Sequence, residues 1–305
     1  MPSSTYRIAV LLASILLSGA ACAADAVRVG SKIDTEGALL GNLIQQVLEA
    51  HGLKTIGRLS LGNTKVVRTA IAAGEIDIYP EYTGNGAFFF ADEKNPAWKS
   101  AAAGYQRVKQ LDYDRNRIVW LAPAPANNTW TIAVRRDVAA ANRLESLADL
   151  PAWLGKGGRL KLAASAEFIE RPDALPAFQQ AYGFKLRQEQ LLTLAGGDTS
   201  ATIKAAAEQI SGVNAAMAYG TDGPVAALGL IALKDPKGVQ PVYAPAPIIR
   251  ADALARQPQI AAWLKPVFQS LDEATLQKLN ASIAIEGRDA RQVAANYLKR
   301  KGFIK

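Results

Sequence analysis

Short extended runs alternate with helical periodicity along most of this chain, and that alternation points to α/β folds built on parallel strands. Val27-Arg28-Val29-Gly30 reads as a first strand. Residues 35–51 follow as a helix, with Leu39, Leu40, Leu43, Ile44, Val47 and Leu48 on one face and Gly52 as its stop. Further strands are expected at 59–61, 76–79, 118–121, 130–134, 160–164 and 215–219. Helices are expected at 64–73, 95–111, 172–182 and 199–210, and the chain from Arg250 onward reads as mostly helical. A Pro- and Ala-rich stretch at 122–129 and a Gly-bearing one at 219–224 read as crossovers between two lobes. The expected organisation is a signal at 1–23, a discontinuous lobe at 24–129 and 221–305, and a second lobe at 130–220.

The signal reading rests on Arg7, the apolar run 8–17 and the small-residue site Ala21-Cys22-Ala23. The run is too short to span a bilayer as a mature helix. Cleavage after Ala23 predicts a free exported, periplasmic protein. Anchoring through Cys22 is the less favoured alternative, because Gly19 is a poor residue three places before a lipidated Cys. Composition narrows the chemistry. Among 305 residues there is one Cys, Cys22, and one His, His51. That removes internal disulfides, Cys-rich zinc sites and a Cys-His pair, and leaves a Ser-His-Asp triad only if His51 is its base. The formal charge is +8, but the basic residues are scattered and no nucleic-acid motif accompanies them. A solvated basic surface is expected, with no nucleic-acid partner.

Five segments carry groups able to recognise a small molecule. Lys32 directly follows the first strand, where open α/β sheets place their ligands, and reads equally as an anion contact or a solvated loop Lys. Residues 77–86, Asp-Ile-Tyr-Pro-Glu-Tyr-Thr-Gly-Asn-Gly, end a strand in a turn that offers Tyr82 and Asn85. Asn128 and Trp130 follow the Pro-rich crossover, Tyr219 ends a strand at the second, and Tyr243 lies in a Pro-interrupted extended segment. Tyr and Trp are ordinary core residues. Gathered around a quaternary ammonium they form a cage, each desolvated face contributing about 2 kcal/mol. A carboxylate on the same ligand would need Lys, Arg or N–H donors.

In order along the chain, Val-Gly-Ser-Lys (29–32), Tyr-Pro-Glu-Tyr-Thr-Gly (79–84), Asn-Asn-Thr-Trp (127–130), Glu-Phe-Ile-Glu-Arg-Pro-Asp (167–173) and Tyr-Gly-Thr-Asp-Gly (219–223) resemble the substrate-binding proteins of osmoprotectant ABC importers. The resemblance implies a two-lobed type II periplasmic-binding-protein fold with the ligand in the interlobe cleft. It implies capture of glycine betaine, or a related quaternary-ammonium osmoprotectant such as choline, and delivery to a membrane permease and its ATPase. It implies a monomer without cofactor, metal or catalysis. Carried over by residue, the cage is Tyr82, Trp130, Tyr219 and Tyr243. Lys32 and Arg171 meet the ligand carboxylate, with Asn85 in the same polar region. Glu167 orients Arg171, and the Asn128 backbone lies near the cationic head. The chain departs from the family where Trp130 replaces a usual Tyr, Asn85 a usual Thr, and Gly220 a usual Thr. Two alternatives stay open: a site for another small zwitterion such as an amino acid, and a secreted glycosidase using two of Glu81, Glu167, Glu170, Asp173 and Asp222.

Overall fold

Val27 and Val29 are buried on the first strand, and the next apolar segments pair on either side of it. The computed structural model describes residues 26–195 and 197–305; the expected signal, with Arg7, Cys22 and Ala23, lies outside them. The strands in chain order are β1 (Val27–Lys32), β2 (Thr55–Gly62), β3 (Ile78–Tyr82), β4 (Ile118–Trp120), β5 (Trp130–Arg135), β6 (Leu162–Ser165), β7 (Leu191–Leu194), β8 (Ala215–Tyr219), β9 (Leu230–Ala232) and β10 (Pro245–Arg250). They form two five-stranded sheets, in the orders β2-β1-β3-β10-β4 and β7-β6-β8-β5-β9. In each sheet the fourth place is taken by the first strand made after the chain enters from the other sheet. That strand, β10 or β5, runs antiparallel to its neighbours, while the β1 and β6 ladders are parallel. The sheets are therefore mixed rather than wholly parallel.

The helix Thr35–Ala50 buries the six residues expected on its inner face, and its stop falls at Gly52 (φ 85°). Each such side chain contributes roughly 1.5–3 kcal/mol on burial. Other elements differ from expectation. The return to the first sheet is later than 219–224, because β9 still pairs with β5 and Lys234 N donates to Glu145 O at 3.1 Å. Val242 N already donates to Trp98 O at 2.8 Å, so the passage lies between these points. The helix expected at 172–182 begins at Leu175, with Pro176 in its first turn. Before it, Pro172 sits in a turn closed by Ala174 N donating to Arg171 O at 3.0 Å, and a separate short helix spans Ala166–Glu170. The helix expected at 95–111 is split into a 3-10 turn, Pro96–Lys99, and Ala101–Asn116, with Ser100 capping the second.

Candidate functional site

The carboxyl ends of β1, β3, β6 and β8 and the amino starts of β5 and β10 meet at one edge, where α/β sheets present their ligands. Lys32 ends β1, Tyr82 ends β3, Tyr219 ends β8 and Trp130 opens β5. Register fixes two neighbours: Trp130 lies opposite Tyr219, and Tyr82 opposite Pro245, two residues after Tyr243. One cleft is lined by Tyr82, Trp130, Tyr219 and Tyr243. Lys32, Asn85, Asn128 and Glu167 line it too, as do Asp34, Asn63 and Thr64 at two helix N-termini. The structure thus brings eight of the nine expected residues into one wall. The ninth, Arg171, stands behind them.

Trp130 is the hub of the rings. Its centroid is 6.2 Å from Tyr219, nearly parallel at 19°, and 5.8 Å from Tyr243, tilted at 57°. Phe168 meets its edge at 5.6 Å. Arg171 places its guanidinium 4.5 Å from the Trp130 centroid and 4.4 Å from Phe88. Lys32 lies 4.7 Å from the Tyr82 centroid. Burial pushes the Tyr82, Tyr219 and Tyr243 phenols well above their usual range, so all three rings are neutral at any physiological pH.

Both expected carboxylate-binding cations already have carboxylate partners. Lys32 Nζ donates to Glu81 Oε1 at 2.6 Å in a pair that is almost fully buried. Glu81 also accepts from Asn85 Nδ2 and Tyr82 N, both at 2.7 Å, and from Tyr79 OH at 2.8 Å. Arg171 holds Asp173 in a two-point clamp, Nε to Oδ1 and Nη2 to Oδ2, each at 2.7 Å, and reaches Glu167 Oε1 at 3.0 Å. Burial opposes the Arg171 charge, but the Asp173 clamp outweighs it and holds the guanidinium more firmly protonated. The Asn128 backbone N–H is taken by Tyr243 O at 2.9 Å. Trp130 Nε1, by contrast, is buried and finds no acceptor in hydrogen-bonding geometry among the described residues.

Two acids here escaped the sequence reading, and a third stands in a different role. Asp34 caps the helix Thr35–Ala50 by accepting from Gly37 N at 2.7 Å and lines the cleft; burial raises its pKa against the pull of Lys32. Glu36, in the first turn, accepts from Tyr82 OH at 3.0 Å, Asn128 Nδ2 at 2.9 Å and Asn280 Nδ2 at 2.7 Å. Burial raises its pKa also. Asp222, read from the sequence as a candidate glycosidase carboxylate, accepts from Tyr219 N at 2.7 Å, and burial pushes it up to about 7. The one available signal was Asp34-Thr35-Glu36, which reads simply as a helix start. Across the cleft Thr35 Oγ1 donates to Asp198 Oδ1 at 3.3 Å and lies 3.1 Å from Ser200 Oγ. Among the described residues no cluster of three His, Cys, Asp or Glu side chains forms a metal site.

Residues 25–300 match the family described as the substrate binding domain of ABC-type glycine betaine transport system. The chain is 70% identical over 283 residues to "Glycine betaine-binding protein YehZ" of Escherichia coli K12, covering 93% of both chains. It is 32% identical over 284 residues to a "Glycine-betaine-binding protein" of Pseudomonas aeruginosa, covering 90% of this chain and 88% of that one. The solved structure of apo YehZ from Escherichia coli superposes with a TM-score of 0.68, covering 92% of this chain and 100% of that one.

Proposed function

The chain belongs to the substrate-binding domains of ABC-type glycine betaine transport systems, and from that premise we propose that it captures glycine betaine, or a close quaternary-ammonium relative, in the cleft between its two sheets. It is an extracytoplasmic substrate-binding protein of an importer, not an enzyme. The observation that carries the ligand reading is the convergence of Tyr82, Trp130, Tyr219 and Tyr243 on one cleft from two sheets and a crossing segment. A trimethylated nitrogen donates no hydrogen bond, and ring faces suit it better than hydrogen-bond acceptors do.

The opposite end of the ligand is read differently from the resemblance. Lys32 and Arg171 supply positive potential, and each already pairs with a carboxylate, Lys32 with Glu81 and Arg171 with Asp173 and Glu167. Trp130 Nε1 lines the cleft with no hydrogen-bond acceptor in good geometry among the described residues, and it suits a carboxylate oxygen. A zwitterion therefore fits better than choline, which carries no carboxylate. The protein is exported by its N-terminal signal to the periplasm and acts there as a monomer, handing the ligand to the permease and ATPase of its importer.

Calorimetric titration with glycine betaine, proline betaine, choline and arginine tests this reading. Glycine betaine binding tighter than choline, with arginine inactive, is expected. Trp130→Ala and Tyr82→Ala should each weaken glycine betaine by roughly 30-fold, the equivalent of about 2 kcal/mol, without unfolding the protein. Unchanged affinity in both variants would reject the cage.

A further inference from the structure

Glu36 is almost fully buried, contacts no cation among the described residues, and does not line the cleft. A carboxylate kept out of water in this way is costly unless its oxygens are satisfied. Here they are satisfied by three donors from three separate parts of the chain. Oε1 accepts from the Tyr82 phenol at the end of β3 and from Asn128 in the first crossing. Oε2 accepts from Asn280 in the helix Glu273–Ala284, which also donates to Thr221 O at 3.1 Å, just past the end of β8. One side chain thus joins a cage ring, the crossing and the helix that holds the end of β8.

We propose that Glu36 is the positioning residue of the cage, acting on the ligand through Tyr82. This rests on the reading that the cleft binds a quaternary ammonium. Two physical effects follow from the one contact. The hydrogen bond fixes the Tyr82 ring, which otherwise has to be ordered when the ligand arrives, at a cost in affinity. A phenol donating to a carboxylate also takes on part of its negative charge. Its ring becomes more electron-rich and attracts a cation more strongly. Removing the carboxylate charge while keeping its shape therefore weakens binding, even though no ligand contact is lost.

A double-mutant cycle separates this role from simple support of the fold. Glu36→Gln and Tyr82→Phe should each weaken glycine betaine binding on the order of tenfold, the scale of one hydrogen bond to a charged group. The double variant should bind no worse than the weaker single one. Losses that multiply to about a hundredfold would show that Glu36 does not act through Tyr82, and would overturn the proposal. Asn280→Ala loosens the same carboxylate, and its cycle with Tyr82→Phe carries the test if Glu36→Gln does not fold. A second readout needs no ligand. In protein labelled with 3-fluorotyrosine, the fluorine resonance lost in Tyr82→Phe identifies Tyr82. Glu36→Gln, or Asn280→Ala, should shift or broaden that resonance, and an unchanged resonance overturns the proposal. If the wild type binds none of the quaternary ammonium compounds, the reading of the cleft fails, while the fluorine spectrum still decides the role of Glu36.

Discussion

At the scale of single residues, the site is an aromatic surface backed by charges that are nearly all spoken for. Lys32 shows the consequence. Removing its ammonium leaves Glu81 buried with only neutral donors, the costly way to break a buried pair. Lys32→Met should destabilise the protein by about 3 kcal/mol or more by urea denaturation, and adding Glu81→Gln should recover most of the loss. A variant as stable as wild type would mean that the pair is not formed. Asp222 governs a pH effect. Burial pushes its pKa up to about 7, so the native state holds this proton more tightly than the unfolded chain, whose Asp titrates near 3.9. Stability is therefore lost as pH rises through that interval, and Asp34 and Glu36, also raised, act in the same direction. Asp92 and Asp252, held down by arginines, titrate below this window. Urea midpoints should fall from pH 5 to pH 8, and Asp222→Asn should flatten the fall; a midpoint that rises contradicts the assignment. The rings were legible in the sequence because Tyr and Trp stood at strand ends and crossings, where α/β sheets place ligands. Glu36 was not, because an acid in a first helical turn is already explained by the helix dipole.

At the scale of elements, legibility followed local pattern. The helix Thr35–Ala50 announced itself by its apolar spacing and stop. β9 is three residues long, too short for any periodicity to register. β10 was hidden by Pro245 and Pro247, which argue against a central strand. The structure shows why they are tolerated. Their carbonyls accept from Ala124 N at 2.7 Å and Leu121 N at 2.9 Å, so their missing N–H groups face that same side, where β4 has already ended. The turn after β8 depends on close packing instead. A Cβ at Gly223 would lie 2.2 Å from Gln277 O and 2.7 Å from Ala281 Cβ, and backbone cannot yield as a flexible side chain does. Gly223→Ala should therefore push this turn off the helix Glu273–Ala284 and lengthen the Asn280–Thr221 contact. The expected readout is a lower melting temperature together with weaker glycine betaine binding; a variant matching wild type in both would show that the turn is not held there.

At the scale of the whole molecule, the two crossings run side by side and are bonded to each other. Asn128 N donates to Tyr243 O at 2.9 Å, and Tyr243 N donates to Asn127 Oδ1 at 2.8 Å. A pair of adjacent strands of this kind bends more readily than either sheet, as the few residues of a hinge do. The later return of the chain is marked by Pro236, Gly238 and Pro241, but Gly220 and Gly223 offered an earlier break of the same kind, and β9 between them is too short to show that the second sheet continued. Apo YehZ shares 70% of its residues with this chain yet superposes at a TM-score of only 0.68, a difference that a changed angle between two matching halves would produce. The proposed cage would let a ligand set that angle. Tyr82 belongs to the first sheet, Trp130 and Tyr219 to the second, and Tyr243 to a crossing, so only the joined arrangement collects all the ring contacts. Shifting an equilibrium from 1:99 to 99:1 takes about 5.5 kcal/mol of differential binding. With Trp130 and Tyr219 already side by side on the second sheet, closure adds the Tyr82 and Tyr243 faces, about 4 kcal/mol at about 2 kcal/mol each, and the cross-cleft bonds of Thr35 add to them. Solution scattering should accordingly show a smaller radius of gyration at saturating glycine betaine, with Trp130→Ala needing more ligand to reach the same end point. A radius unchanged by ligand that calorimetry shows to be bound would mean that the rings are engaged without any movement of one sheet toward the other.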